Sequence, residues 1–154
     1  MKNLPIVFFI CFMVISCSDK KYGDFLDYNI GISYLDNEGN SLLDTQNTNF
    51  IDPAEISAYY FIKGENKVIP SRNGAVKLSY YEGESTNIIR LLVSDYFNED
   101  NESITILRFN ELDIDTLKCK ITDLKHLSYV SKVFYNDKLV YDNNGSNDYI
   151  VVVK

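Results

Sequence analysis

Residues 26–34 read LDYNIGISY, and this stretch decides the fold. Every even-numbered position in it is apolar or aromatic, and every odd-numbered position is small or polar. Because successive side chains of a β-strand point to opposite faces, the alternation predicts a strand with one face buried and the other in water. We therefore predict a single half-buried strand over residues 26–34.

Strand signals of the same kind recur at short intervals along the rest of the chain. Turn residues separate them, as at Asn136-Asp137, which suits a two-residue hairpin. One helical turn is predicted, over residues 52–55, with Asp52 as its cap and Pro53 in its first position. The pattern predicts an all-β protein: an antiparallel β-sandwich of about seven to ten short strands with at most that one helical turn.

Two strands carry more specific predictions. Residues 88–93, IIRLLV, are apolar at nearly every position, which is typical of a central strand covered on both sides. Residues 149–153, YIVVV, are apolar on both faces, so we predict that this closing strand is packed on two sides or paired inside a sheet. Asn144-Gly145 is predicted to turn the chain into it.

The first residues have the composition of an export signal. Lys2 supplies a positive charge, residues 4–15 are almost wholly apolar, and Ser16 is a small residue at the cleavage position. The apolar run is shorter than the ~20 residues that a membrane-spanning helix needs. We therefore predict a signal peptide over residues 1–16 and a single β-sandwich domain over residues 25–154.

Residues 14–17, VISC, resemble a lipobox, the bacterial motif that ends in the cysteine to which lipid is attached. The Cys17 thiol can carry a diacylglycerol, and its amine can be acylated once cleavage frees it. Since one acyl chain holds a bilayer only marginally, two or three give a lasting anchor. We predict a lipoprotein of the outer membrane, anchored at Cys17 through a tether over residues 17–24. The sequence does not decide between the cell surface and the periplasmic face of that membrane.

Four further segments carry a resemblance to known proteins. They are residues 36–43 (DNEGNSLL), 51–53 (IDP), 113–117 (DIDTL) and 133–140 (VFYNDKLV). Together with the signal, this set is similar to the small uncharacterised lipoproteins of the Bacteroidota, over nearly the whole chain. The resemblance implies an immunoglobulin-like or transthyretin-like β-sandwich. Because that family has no established activity, the resemblance implies no functional residue.

The net charge and the cysteines argue against two features, a nucleic-acid partner and an intrachain disulfide. A net charge of −7 argues against nucleic acid as a partner. Cys11 leaves with the predicted signal and Cys17 is predicted to be acylated, so Cys119 is the one free thiol and no intrachain disulfide is expected. Cys119 alternates with lysines in LKCKI, which predicts a buried position.

Candidate catalytic residues are few. Asp113 and Asp115 share one face of a predicted strand, about 6.6 Å apart, a spacing that two glycosidase carboxylates could have. Nothing in the sequence implies a pocket around them, so a solvated strand end is the preferred interpretation. His126 is the one histidine and is interpreted as a loop residue. We predict no enzyme activity and no cofactor.

Candidate binding and modification sites lie in turns and strands. Asp142, Asn144 and Asp148 are possible calcium ligands, but the loop lacks the closing bidentate glutamate, so a plain turn is preferred. Thr116, in Asp115-Thr116-Leu117, resembles an O-glycosylation acceptor of exported proteins. Tyrosines at 59, 60, 80 and 81 are interpreted as strand residues, with one ring of each pair inside.

Two functions remain after these exclusions. The first is a non-enzymatic envelope lipoprotein whose sandwich binds or supports another envelope component, a protein or a glycan. The alternative is a module that binds a glycan or calcium at its loops. For either, we expect a monomer that reaches the membrane through its N-terminal lipid.

Overall fold

The computed structural model describes residues 25–63, 65, 67–71, 74–81, 86–124, 127–143 and 149–154. The predicted signal peptide and tether therefore lie outside the described residues. The described part of the chain forms eleven strands and no helix: β1 (Phe25–Asp27), β2 (Asn29–Leu35), β3 (Ser57–Ile62), β4 (Lys67–Pro70), β5 (Val76–Tyr81), β6 (Thr86–Leu92), β7 (Glu102–Arg108), β8 (Ile114–Leu124), β9 (Leu127–Tyr135), β10 (Lys138–Asp142) and β11 (Tyr149–Val153).

The strands form two sheets that pack face to face, so the predicted β-sandwich is confirmed. The seven-stranded sheet has the order β1-β9-β8-β7-β3-β4, with β10 also paired to β9, and the four-stranded sheet has the order β11-β2-β6-β5. Most pairings are antiparallel, as predicted, but β1 runs parallel to β9 and β11 runs parallel to β2.

The stretch 26–34 is not the single strand that its alternation predicts. The chain leaves the seven-stranded sheet after β1 and joins the four-stranded sheet at β2, with Tyr28 between them. Tyr28 is buried, and its carbonyl accepts a hydrogen bond from the amide of Val93 at 3.0 Å. Tyr28 still points into the core, so the sequence pattern of apolar and polar residues continues through the change of sheet. Periodicity alone therefore does not reveal that change.

The core lies between the two sheets. It is made of the inward-facing side chains of both, among them Ile30, Ile32, Tyr34, Ile89, Leu91, Ile150 and Val152 from the four-stranded sheet, and Leu107, Leu117, Cys119, Ile121, Val133 and Tyr135 from the seven-stranded sheet. Their removal from water is the main favourable contribution to folding.

The prediction for residues 88–93 is confirmed in its essentials. β6 lies inside the four-stranded sheet between β2 and β5. Ile88 and Ile89 are adjacent in the chain and both are buried, so both faces of the strand are covered there. Arg90 is exposed, which is the exception in this apolar run.

The prediction for the closing strand is wrong. β11 is an edge strand, and Val151 and Val153 on its outer side are 45% and 59% exposed, while Ile150 and Val152 are buried. β10 belongs to the other sheet, so β10 and β11 are not paired as a hairpin. Asn144-Gly145, the predicted turn, lies outside the described residues. β11 is nevertheless paired along its whole length, because all five of its residues pair in parallel with β2.

The predicted hairpin turn is confirmed, and the predicted helical turn is present only as a hydrogen-bonded turn. Asn136 and Asp137 join β9 to β10 with φ values of 46° and 65°, the positive values that a two-residue hairpin turn requires. Residues 52–55 form a hydrogen-bonded turn and no helix. In it the Asp52 carboxylate accepts a bond from the amide of Ala54 at 2.9 Å, and the Asp52 carbonyl accepts one from Glu55 at 3.0 Å.

Cys119 provides a chemical test of the packing. Its side chain is fully buried, and burial raises the pKa of Cys119 to about 12 from an ordinary value of 9.0. Since the thiolate is the reactive form, we expect a full-chain variant with Cys11 and Cys17 replaced by serine to react slowly with a thiol reagent when folded, and rapidly in guanidinium. Equal rates in the two conditions would contradict the inward placement of Cys119.

Candidate functional site

A charged cluster joins the two sheets at one end of the sandwich. Its centre is the ammonium of Lys154, the residue that follows β11, and its members are Tyr34, Phe109, Asp113, Asp115, Tyr135, Asn136 and Lys154. We call this set the Lys154 cluster. Asp113 and Asp115, the candidate carboxylate pair, both belong to it.

Lys154 contacts both carboxylates at once. Its Nζ lies 2.6 Å from Oδ2 of Asp115 and 2.8 Å from each carboxylate oxygen of Asp113. The Lys154 side chain is only 17% exposed and that of Asp115 only 8%, while that of Asp113 is 41% exposed. The preferred sequence interpretation, two solvated carboxylates, is therefore wrong for Asp115.

Asp115 is also held by neutral donors. The Tyr135 hydroxyl donates to its Oδ2, and Asn136 Nδ2 donates to its Oδ1 at 2.6 Å. The Asn136 carboxamide oxygen accepts a bond from the amide of Thr116 at 2.8 Å, which fixes the orientation of the side chain. Both carboxylate oxygens of Asp115 are thus occupied by oriented donors.

Aromatic rings enclose the cluster. The Lys154 ammonium lies 3.6 Å from the centroid of the Phe109 ring and 5.8 Å from that of Tyr34, within the range of cation–π attraction. The rings of Tyr34 and Phe109 meet edge to face with centroids 5.4 Å apart. The hydroxyls of Tyr34 and Tyr135 lie 3.3 Å apart, and since the Tyr135 proton is engaged by Asp115, Tyr34 can donate to Tyr135.

The surroundings shift the acidity of three groups. Burial raises the pKa of Asp115, but hydrogen bonds from Lys154, Tyr135 and Asn136 outweigh it and hold that pKa below the ordinary value of 3.8. Burial raises the pKa of Tyr34 and of Tyr135, and the nearby Asp115 carboxylate raises both further. At neutral pH the cluster therefore contains an ionised Asp115 and two neutral phenols.

A second candidate site is the outer face of the seven-stranded sheet. Strand register places one side chain from each of six strands in a row across this face: Val68, Phe61, Ile104, Lys118, Phe134 and Leu139. We call it the cross-strand row. Five of its six members are apolar or aromatic, and Val68 and Leu139 at its ends are 51% and 48% exposed.

Cations accompany this apolar surface. Lys118 lies 5.0 Å from the centroid of the Phe134 ring, and Arg108 lies 5.3 Å from that of Tyr59. Lys120 of β8 and Lys132 of β9 are paired directly opposite each other on the same face. Two carboxylates share this face, because Asp142 forms an ion pair with Lys132 at 2.9 Å and Glu102 lies opposite Lys120 in the ladder.

A cleft of about 270 Å³ opens beside the row. Phe61, Ile104 and Lys118 line it from the sheet, and Tyr96 and Phe97 line it from the loop before β7. Both loop rings are close to half exposed. Phe97 is held there by a β-bridge to Ser103.

The polar loops offer fewer oxygen atoms to a ligand than their composition suggests. A polar recess of about 690 Å³ is lined by residues including Asp36, Asp44 and Asn47. Each of these three side chains accepts a hydrogen bond from a nearby backbone amide, at 2.8–2.9 Å. Asn98, in the loop before β7, does the same. One oxygen of each of these side chains therefore stabilises its own turn.

Of the three possible calcium ligands, only Asp142 lies in the described part of the chain. Asp142 lies in β10 and forms an ion pair with Lys132 at 2.9 Å, while Asn144 and Asp148 lie outside the described residues. Within the part of the chain that the structure describes, no three His, Cys, Asp or Glu residues are placed to hold a metal ion. His126 also lies outside the described residues.

The remaining candidates lie as strand alternation predicts. Thr116 is exposed on the outer face, and whether it carries a glycan stays a prediction. Tyr60 is buried and Tyr59 faces outward, and Tyr80 is 57% exposed. Of the seven members of the Lys154 cluster, sequence reasoning identified only Asp113 and Asp115 as site candidates. Lys154 is 41 positions from Asp113, and no local pattern connects them.

Comparison of the chain with protein families, curated proteins and solved structures found no match. Across the described residues, no helix is long and apolar enough to cross a membrane.

The Tyr135 hydroxyl provides a test of the Lys154 cluster. Tyr135→Phe removes a donor from Asp115 and the neighbour of the Tyr34 hydroxyl, so we expect the free energy of unfolding to fall by about 1–2 kcal/mol. Tyr141→Phe is the matched control, because the Tyr141 hydroxyl bonds Asn143 in an exposed position and its loss should cost under about 0.5 kcal/mol. Equal losses in urea titrations would show that the cluster has no special role in stability.

Proposed function

We propose that this protein is a non-enzymatic lipoprotein of the outer membrane, acylated at Cys17, whose sandwich binds another envelope protein through the outer face of the seven-stranded sheet. The signal over residues 1–16 and the lipobox-like VISC sequence support the anchor. The four segments that resemble small Bacteroidota lipoproteins support the same assignment. The cross-strand row is the main observation that supports the proposed binding function.

Exposed apolar area is the first reason to assign binding to this face. A sheet that faces only water normally alternates apolar-in and polar-out. Here the outward positions of β3, β4 and β7 carry Tyr59, Phe61, Val68, Ile104 and Ile106. A contiguous apolar patch of this kind on the surface of a protein marks an interaction site.

The chemistry of the partner follows from the charges. Arg108 and Lys118 point to the same face as the apolar residues, and each lies over one of its aromatic rings. Complementary potentials steer association and exclude wrong partners. We therefore assign to the partner a protein surface that combines apolar side chains with carboxylates.

Chain geometry supports a partner near the membrane. The tether over residues 17–24 spans at most about 30 Å when extended. It joins the seven-stranded sheet at β1, where Phe25 pairs with Leu127 of β9. The cross-strand row crosses β9 at Phe134, about 23 Å further along the strand. The start of β1 and the cross-strand row thus lie near opposite ends of β9.

The loop-based alternative, calcium or glycan binding, has less support. One side-chain oxygen each of Asp36, Asp44, Asn47 and Asn98 accepts a hydrogen bond from a backbone amide. A ligand that used those oxygens would compete with the bonds that hold the turns.

The anchor is tested by metabolic labelling. We expect a fatty-acid analogue to label the native protein in a bacterial host, and the label to disappear in Cys17→Ala. Cys119→Ser is the matched control and should keep the label, because Cys119 is buried in the fold. Label that survives in Cys17→Ala would contradict the proposed attachment site.

The binding face is tested with a photoreactive amino acid in intact cells. Val68 and Val151 are matched positions, 51% and 45% exposed on opposite sheets. We expect adducts of one identical mass from positions 68 and 139, and none from position 151. Ile104→Glu should abolish these adducts, since it places a charge in the middle of the row.

The outcomes separate the two functions. An adduct at position 151 equal to that at position 68 would contradict the assigned face. Absence of adducts, together with a rise in melting temperature on addition of calcium or a sugar, would favour the loop-based alternative.

A further inference from the structure

The Lys154 cluster places one amine in hydrogen-bonding contact with two carboxyl groups. Lys154 Nζ lies 2.6 Å from Asp115 Oδ2, and the Lys154 side chain is 17% exposed. The ammonium lies against the Phe109 ring, so water has limited access to it. Proximity in a fixed orientation can replace much of the activation entropy that two free reactants lose.

The second carboxylate has a different setting. Asp113 receives two hydrogen bonds from the same ammonium, each at 2.8 Å, and it remains 41% exposed. One cation between two carboxylates leaves the three side chains with one negative charge in excess. Asp113 can therefore take a proton from the amine while the net charge of the cluster stays constant.

The donors around Asp115 match the needs of an addition to its carboxyl carbon. Tyr135 donates to Oδ2, and Asn136 donates to Oδ1 at 2.6 Å. Addition at a carboxyl carbon places negative charge on an oxygen, and oriented donors lower the energy of that state. Asp113 has no such pair of neutral donors among the contacts described above, which distinguishes the two aspartates.

We propose that Lys154 and Asp115 become joined by an amide bond between Nζ and Cγ, formed within the folded protein, with Asp113 as the catalytic carboxylate. The bond connects the end of β11 in the four-stranded sheet to β8 in the seven-stranded sheet. It requires neither the lipid anchor nor the partner, so it stands apart from the proposed function.

The reaction balances without an oxidant or a cofactor. One proton passes from the Lys154 ammonium to the Asp115 carboxylate, which gives a neutral amine and a carboxylic acid. Nζ then attacks Cγ, the Nζ–Cγ bond forms, and Asp113 accepts a proton from the nitrogen. Asp113 returns that proton to the departing hydroxyl as the Cγ–O bond breaks. The products are one amide and one water, and Asp113 is a carboxylate again.

The bond is expected to form slowly and only in the folded protein. Hydrogen bonds keep the Asp115 carboxylate ionised, so the neutral amine and acid pair is a minor state and the reaction is slow. General acid–base catalysis by a positioned carboxylate contributes about 10²–10⁴-fold to such steps. An unfolded chain has neither the contact nor the catalytic carboxylate, so it does not react.

Mass spectrometry of the full chain tests the proposal. Trypsin cleaves after Arg108, Lys118 and Lys138, so the amide will join peptide 109–118 to the peptide that begins at residue 139. We expect this joined peptide at the sum of the two masses less one water. Fragmentation will locate the junction at Asp115, in preference to Asp113.

Three variants serve as controls. Lys154→Arg keeps the positive charge but lacks the primary amine, so it should fold and give only separate peptides. Asp115→Ala lacks the side-chain carboxyl group that the amine attacks, so it should give only separate peptides. Asp113→Asn should fold, as judged by circular dichroism, and form the bond about a hundredfold more slowly after pulse labelling.

The opposite results overturn the proposal. Separate peptides from the wild-type protein after prolonged incubation would show that the contact is an ion pair only. A junction at Asp113 would show that the proposal names the wrong carboxyl group. A water-deficient product in Lys154→Arg would place the dehydration elsewhere in the chain.

Discussion

The buried hydroxyl of Tyr34 is the constraint on which the rest of the structure depends. A phenol placed between two sheets must find a polar partner, because an unpaired hydroxyl in the core costs free energy. Tyr34 belongs to the four-stranded sheet and meets Tyr135 of the seven-stranded sheet. Tyr135 is committed in turn to Asp115, and Asp115 to Lys154. One polar group in the core thus fixes how both sheets and the segment after β11 are placed together.

The fold could be predicted from the sequence to the extent that it depends on local pattern. Alternation places Cys119 inside and Thr116 outside, and the composition of Asn136-Asp137 predicts the hairpin between β9 and β10. The change of sheet at Tyr28 and the parallel pairing of β11 could not be predicted, because a strand has the same side-chain period whichever sheet it joins. Strand order depends on long-range pairing, which leaves no local signal.

The candidate sites show the same limit. Sequence spacing alone placed Asp113 and Asp115 on one face, but it could not supply Lys154, which arrives from the other sheet. The cross-strand row is invisible in the sequence for a related reason. Each strand contributes one apolar residue at an outward position, and such a residue looks ordinary by itself. Only the register of six strands brings these residues together.

The parallel pairing of β1 with β9 determines how the domain bears mechanical load. The proposed tether would lead into β1, whose residues Phe25, Leu26 and Asp27 pair with residues 127–129 of β9. A pull on the tether runs along the axis of both strands, so it stresses the hydrogen bonds of this ladder together in shear and does not unzip them one by one. A short ladder loaded in this way resists force better than a longer hairpin peeled from its end. A lipid fixed at Cys17 and a partner bound across β9 would stretch the protein along this direction.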